Sequence, residues 1–256
     1  MKLDLIGPTV GLAAALTGSV ANAALIDFSA MQLNGGATVN GGVLNVGTNG
    51  GADMSAFITT PISTTSSFSG SFEFTLTNNG SPFNADGVAF VIQNSADGAR
   101  ALGAGGGGLG ADGISNMVGI GFQSYTNNRA TIFTTATTPT GGTGSNGNFS
   151  LGSNASDDVT VTFSYSSVRD ALSFTAHNSA TGQRVTQSYG VDLTTLGSSV
   201  YLGLSGGTGG YHSEQDFTSF NVTVAPEPST WAMLIIGFGG LGALAYRARR
   251  GAVSAA

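Results

Sequence analysis

Residues 68–76 read FSGSFEFTL, with an apolar side chain or glycine at every second position. Such alternation is typical of a β-strand that has one buried face and one face in water. The run VAFVI at residues 88–92 follows after a turn and is apolar throughout. A short run of that kind predicts a strand that is covered on both faces. Together the two segments predict a layered sheet structure.

The same patterns continue outward from these two segments. Further strands are predicted at 117–122, 159–165, 172–176, 200–204 and 220–224. Asn40-Gly41 and Thr181-Gly182 predict hairpin turns. Residues 103–110 and 134–156 are rich in Gly, Ser, Thr and Asn, which predicts loops. Residues 24–225 show no long helical period, so the predicted fold class is all-β, as an antiparallel β-sandwich.

Composition limits the possible functions. The 256 residues include no Cys, which excludes thiolate metal sites and cysteine nucleophiles. Residues 24–225 contain four Arg and no Lys against ten Asp and two Glu. Because a phosphate backbone requires cations to neutralise it, we expect no nucleic-acid partner.

Several segments, taken in order and with their spacing, resemble the legume-type (L-type) lectins. They are 67–74 (SFSGSFEF), 85–93 (ADGVAFVIQ), the glycine loop at 105–110, 118–127 (VGIGFQSYTN) and 201–210 (YLGLSGGTGG). The resemblance covers about 200 residues. It implies a concanavalin-like jelly roll, with a curved front sheet, a flat back sheet and sugar-binding loops over the front.

The resemblance also implies a carbohydrate site. Asp86 matches the family's Asp on a cis peptide, which accepts hydrogen bonds from two sugar hydroxyls. Gly107 is the nearest match for a glycine whose N–H donates to the sugar, and Asn127 matches an Asn that contacts it. The loop at 207–211 matches the one that sets specificity. The candidate carbohydrate-binding residues are therefore Asp86, Gly107, Asn127, Thr208, Gly209 and Tyr211. A purely local alternative makes Asp86 a turn former, since Ala-Asp-Gly also occurs at 96–98 and 111–113.

The family's metal site is altered in this sequence. The resemblance implies Glu and then Asp two residues later, but Gly121 and Gln123 stand there, and residues 129–138 contain neither Asp nor His. Tyr125 and Asn127 remain as neutral oxygen ligands, which make a poor Ca²⁺ site. We therefore expect no cofactor, with no Mn²⁺ site and at most weak calcium binding.

The N-terminus has the features of a secretory signal. Lys2 precedes an apolar stretch at 10–16, and Ala21-Asn22-Ala23 resembles a cleavage site. We expect residues 1–23 to be a signal peptide and residues 24–225 to be the exported lectin-like domain. The alternative is a buried N-terminal helix.

The C-terminus carries a second resemblance. Pro226, Glu227 and Pro228 with Ser229 (226–229) precede an apolar helix at 230–246 and a basic end at 247–250. The order resembles the PEP-CTERM sorting signal of Gram-negative bacteria, at residues 226–256. It implies transient anchoring in the inner membrane, cleavage by an exosortase, and delivery to the cell surface or extracellular matrix. An ordinary tail anchor is the alternative.

Enzyme motifs are weak. None of the three Glu (73, 214 and 227) lies on 117–125, the strand where glycosidases of this fold class resemble one another in carrying paired acids. The G-x-S-x-G pattern at 203–207 lacks a following helix, and G-x-G-x-x-G at 103–108 lacks a βαβ unit. His177 and His212 are expected to be solvent-exposed. We expect no enzyme.

Two functions remain open at this point. One is a surface or matrix lectin that binds a glycan, such as the cell's own exopolysaccharide. The other is a structural surface protein that keeps the lectin fold without binding sugar. Asp86, Asn127 and the glycine loop favour the first, and the lost metal ligands favour the second.

Overall fold

The computed structural model describes residues 24–125, 128–139, 143–151, 158–225 and 236–242. The predicted signal peptide, Asn127, the motif at 226–229 and the basic end lie outside these residues. Of the predicted membrane helix only 236–242 is described, as a short helix. Within the described parts of the chain, no helix has the length and hydrophobicity to cross a membrane.

The described residues of the domain form sixteen strands. They are β1 (Ala24–Leu25), β2 (Gln32–Asn34), β3 (Thr38–Asn40), β4 (Val43–Gly47), β5 (Asp53–Phe57), β6 (Ile62–Ser63), β7 (Phe68–Thr77), β8 (Gly87–Gln93), β9 (Met117–Gln123), β10 (Arg129–Thr134), β11 (Thr143–Asn148), β12 (Val159–Ser166), β13 (Ala171–Asn178), β14 (Arg184–Gly190), β15 (Ser199–Gly207) and β16 (Glu214–Val224). Short 3₁₀ turns cover Phe28–Ala30, Gly98–Arg100, Gly106–Gly108 and Leu193–Leu196.

The strands make two antiparallel sheets. The sheet that we call the back sheet has the order β14-β13-β12-β7-β16-β4-β3, with β1 also paired to β16. The front sheet has the order β11-β10-β9-β8-β15-β5-β2, with β6 also paired to β15. The predicted all-β sandwich is confirmed. In both sheets, strands distant in sequence lie side by side, such as β7 and β16.

The core lies between the two sheets and is rich in phenylalanine. Phe72 and Phe74 of β7 are fully buried, as their alternation predicted. Phe90 of the front sheet stacks on Phe163 of the back sheet, with ring centroids 4.3 Å apart. Rings of this size fill the space between the sheets and remove a large apolar area from water.

A second apolar cluster covers the other face of the front sheet. It joins Ala89 and Val91 of β8 to Leu109 and Phe133, all buried. Leu109 comes from the glycine loop, which folds back over the sheet. This covering explains why the VAFVI segment is apolar throughout and confirms that both its faces are buried.

Nine of the described strands differ from the predictions, and no strand was predicted where β1–β6 and β10 lie. Strand β11 lies inside 134–156, which we expected to be a loop, and its backbone pairs with β10. Strand β14 was not predicted, and it pairs with β13 in full register. Pairing with a neighbouring strand supplies order that the Gly, Ser, Thr and Asn composition does not indicate. The turns at Asn40-Gly41 and Thr181-Gly182 are confirmed, since each joins two paired strands.

Candidate functional site

Three loops meet at one end of the front sheet. The first leads into β8 and ends at Asp86, the second is the glycine loop, and the third is the late loop at 207–211. The Asp86 N–H donates to the Gly207 carbonyl at 3.0 Å, and the Gly106 N–H donates to the Thr208 carbonyl at 3.1 Å. Adjacent strands β9, β8 and β15 thus bring together segments more than 100 residues apart.

The Asp86 carboxylate occupies the junction of these loops. The residue is only 7% exposed, and the Ala85–Asp86 peptide bond is cis. A Cβ added to Gly209 would lie 3.1 Å from Asp86 Oδ2, and one added to Gly106 would lie 3.7 Å away. A side chain at position 209 would therefore crowd the carboxylate, whereas one at position 106 would make an ordinary van der Waals contact with it.

The surroundings of Asp86 shift its ionisation. Burial raises the pKa of the Asp86 carboxyl above its ordinary value, and the nearby Gly209 N–H lowers it by a smaller amount. A carboxylate that has lost part of its water shell gains more from new hydrogen-bond donors than one in open water. The site is therefore suited to accept hydrogen bonds from a polar ligand.

The Gly107 N–H is a potential donor in the same place. Gly107 is half-buried in the 3₁₀ turn Gly106–Gly108. Among the loop hydrogen bonds of the described residues, Gly106 and Gly108 donate to Thr208 and Gly105, while none uses the Gly107 N–H. The structure brings the predicted Gly107 beside the Asp86 junction, with its donor available.

Thr208 serves the loop itself. It is 1% exposed, and its hydroxyl accepts from the Ala52 N–H at 2.9 Å and donates to the Asn49 carbonyl. Gly209 lies against Asp86, and its carbonyl accepts from the Gly51 N–H at 3.0 Å. The Thr208 N–H donates to the Ala52 carbonyl at 2.9 Å, so a contact of Thr208 with a ligand would use its backbone carbonyl rather than its N–H or its hydroxyl. The place of Asn127 is not described.

An aromatic cluster stands beside the junction, formed by Phe83, Tyr125 and Tyr211. The Phe83 and Tyr211 ring centroids are 5.1 Å apart, those of Tyr125 and Tyr211 5.4 Å, and those of Phe83 and Tyr125 6.4 Å. Phe83 is 57% exposed although it is a large apolar residue. Phe83 was not predicted as a site residue, because its only signal in the sequence is an apolar residue in a polar turn, three positions before Asp86.

Where the L-type resemblance implies a metal, the residues that the structure describes do not fit one. A Cβ on Gly121 would lie 3.2 Å from Phe133 Cε1 and 3.3 Å from Leu109 Cδ1, so this space is apolar. The buried Gln123 accepts from Arg129 Nε at 3.3 Å, which places a cation beside it. No group of three or more His, Cys, Asp or Glu occurs among the described residues.

The remaining sequence motifs lie elsewhere. Ser205, the central residue of G-x-S-x-G, is fully buried inside β15 and is not an exposed nucleophile. Glu73 lies in β7 and accepts hydrogen bonds from Thr160 and Ser219. His177 and His212 are partly exposed, and His177 lies on the less buried face of β13.

Comparisons with known proteins agree with this architecture. The PEP-CTERM protein-sorting motif matches residues 224–250. No curated protein is significantly similar to the chain in sequence. Among solved structures, the basic winged bean lectin with Tn-antigen has a TM-score of 0.66 at 20% identity, covering 77% of this chain and 93% of that one.

Two more lectins give the same result. The peanut lectin with a 9mer peptide has a TM-score of 0.66 at 21% identity, covering 80% of this chain and 99% of that one. Lectin II from Ulex europaeus has a TM-score of 0.68 at 18% identity, with coverage of 80% and 99%. The chain is thus similar in fold to legume lectins and carries a PEP-CTERM sorting motif.

Proposed function

We propose that this protein is an exported lectin that binds a glycan at the junction around Asp86. The observation that supports this most directly is the Asp86 carboxylate, which is buried among loop glycines and lies near an aromatic cluster whose Phe83 is exposed. Legume lectins with similar folds include one described with Tn-antigen and one complexed with galactose.

The chemistry of recognition follows from the residues at the junction. Asp86 accepts hydrogen bonds from two neighbouring sugar hydroxyls, and the Gly107 N–H donates to a third sugar oxygen. Tyr211 and Phe83 pack against the apolar face of the sugar ring. We also propose that Asn127 contacts the sugar, and that Thr208 and Gly209 contribute backbone groups of the late loop.

We propose that binding requires no metal and that no reaction is catalysed. The apolar contacts of Gly121 and the Gln123–Arg129 bond support the first statement. The second is supported by the position of Glu73, which bonds to Thr160 and Ser219 rather than to groups at the junction. The protein would accordingly bind a glycan and leave it unchanged.

The sorting motif supports a site of action outside the cell. We propose that a signal peptide at 1–23 directs export and that an exosortase removes the tail at the inner membrane of a Gram-negative host. The protein would then reach the cell surface or matrix. There it would meet glycans, including the exopolysaccharide of its own cell.

A glycan array tests the proposal. It uses residues 24–225, which contain all sixteen strands, with Asp86→Asn as the counter-screen. Binding of a defined glycan family that Asp86→Asn loses would support the lectin. No binding by a well-folded protein would instead favour a structural surface protein, the alternative that the missing metal ligands support.

A further inference from the structure

A buried glutamine lies beneath the proposed site. Gln215, in β16, is 0% exposed. Its Nε2 donates to two backbone carbonyls, that of Ala85 at 3.1 Å and that of Gly207 at 2.9 Å. Ala85 immediately precedes Asp86, and Gly207 begins the late loop. One side chain therefore ties together two of the three loops that form the junction.

Other buried groups hold the same segment. Ser213 Oγ donates to the Ala85 carbonyl at 3.1 Å, the Asp86 N–H donates to the Gly207 carbonyl at 3.0 Å, and the Ser124 N–H donates to the Asp86 carbonyl at 2.9 Å. Both carbonyls that Gln215 binds thus have a second donor. The need to satisfy them does not by itself explain a glutamine at this position.

The position itself is one for an apolar residue. Gln215 and Phe217 both face the core from β16. Gly47 and Gly206 leave space for the glutamine, since a Cβ on Gly47 would lie 2.7 Å from Gln215 Oε1 and one on Gly206 would also contact it. Gln215 Oε1 has no hydrogen-bond partner among the described residues. A buried acceptor without a partner lowers the free energy of unfolding. Stability alone would therefore favour an apolar residue over glutamine at position 215.

We propose that Gln215 is the positioning residue that fixes the Asp86 loop to the late loop and does so in place of a bound metal. The inference rests on the proposed function, because it assigns Gln215 to the same glycan site. The space around Gly121 is filled by Phe133 and Leu109, and Gln123 bonds to Arg129. The described chain therefore holds the loops with its own amide and hydroxyl donors.

The test uses the full chain with the substitution Gln215→Met. This change keeps the length of the side chain and removes the NH₂ donor and the carbonyl acceptor of the amide. Gln93→Met is the matched control. Gln93 is also 0% exposed, and its Nε2 donates to the Gly98 carbonyl at 2.7 Å, at the end of β8 away from Asp86. Hydrogen exchange, thermal melting and glycan affinity with and without EDTA are measured on both variants.

We expect Gln215→Met to speed amide exchange at 85–87 and 207–209 by roughly tenfold, the effect of losing one or two hydrogen bonds. Glycan affinity should fall by a similar factor. Gln93→Met should lower the melting temperature about as much as Gln215→Met does. It should leave amide exchange in the two loops and glycan affinity unchanged. If Gln215→Met does not fold, Gln215→Asn, whose shorter amide cannot reach both carbonyls, should show the same loop-specific exchange.

Unchanged exchange in these two loops would overturn the inference even if glycan binding is intact. If the wild type loses glycan binding in EDTA, a metal is needed at the site, and the claim that Gln215 acts in place of a metal is overturned. If the wild type binds no glycan at all, the proposed function fails, while the exchange measurement still decides whether Gln215 holds the loops.

Discussion

The ring of Phe83 meets the ring of Tyr211 edge to face, with centroids 5.1 Å apart and planes at 80°. Phe83 precedes β8 and Tyr211 belongs to the late loop, so the pair joins two of the loops at the junction. Because Phe83 is largely exposed, its ring is available to a ligand. We therefore expect Phe83→Ala to lower glycan affinity about three- to tenfold, the scale of an aromatic contact.

The melting temperature should change little, because the ring lies mostly in water. Tyr211→Phe is the control that keeps the ring, and it should retain more affinity than Tyr211→Ala. Isothermal calorimetry with the glycan from the array measures both. Equal affinity for Phe83→Ala, Tyr211→Ala and wild type would remove the aromatic cluster from the site.

The all-β class could be predicted from the sequence because it depends on local patterns, although many of the described strands could not. The alternation around Phe72 predicted β7 and its buried face, and the apolar run at 88–92 predicted β8 and its burial on both faces. Strand β14 was missed because its polar sequence RVTQSYG forms a strand only by pairing with β13.

The candidate site was only partly predictable. A family motif located Asp86, and the late loop followed from the same resemblance. Gln215 carries no local signal, because its contact with Ala85 spans 130 residues of sequence. Phe83 was missed for a related reason: its role depends on rings contributed by Tyr125 and Tyr211 from two other segments.

Binding and stability should respond to pH in opposite directions. Since the pKa of the Asp86 carboxyl is raised by burial, the folded protein holds this proton more readily than the unfolded chain. As pH rises through the window between the ordinary and the raised pKa, the Asp86 contribution to the unfolding free energy therefore falls. Glycan affinity should rise over the same window, because the carboxylate is the acceptor.

Comparison with Asp86→Asn isolates this effect. Burial also raises the pKa of Asp216, whereas hydrogen bonds from Ser29 and Thr194 lower those of Asp27 and Asp192, and these groups titrate in both proteins. Thermal melts and calorimetry between pH 3.5 and 7 give the two curves. Identical pH profiles for the two proteins would show that Asp86 is not the titrating group.

Removal of metal should have no effect. The described residues offer no acidic cluster, and Gln123 already bonds to Arg129. We expect EDTA to leave both the melting temperature and glycan affinity unchanged. Calorimetry with CaCl₂ is the direct check, and a dissociation constant well below micromolar would contradict this expectation.

Sorting should remove the C-terminal tail. The PEP-CTERM motif at 224–250 leads us to expect that the mature surface protein lacks residues 231–256. Mass spectrometry of protein released from the host surface would show the new terminus. An intact C-terminus on surface protein would mean that the segment acts as an ordinary anchor.

The role of Asp86 is the central claim, and Asp86→Asn tests it most directly. The variant keeps the shape of the side chain and replaces the charge and one acceptor oxygen with an amide donor. Charge-assisted hydrogen bonds contribute about 1.5–3 kcal/mol, so losing one should weaken binding tenfold or more. Asp97→Asn, in an exposed copy of the same Ala-Asp-Gly triplet, should bind as the wild type does.

The decisive measurement is the affinity of wild type, Asp86→Asn and Asp97→Asn for one array-identified glycan at pH 7, with thermal melts on each. We expect only Asp86→Asn to lose at least tenfold in affinity, while its melting temperature stays level or rises because a buried charge has been removed. Equal affinity in three well-folded proteins would contradict this expectation, and Asp86 would then be a turn former before β8.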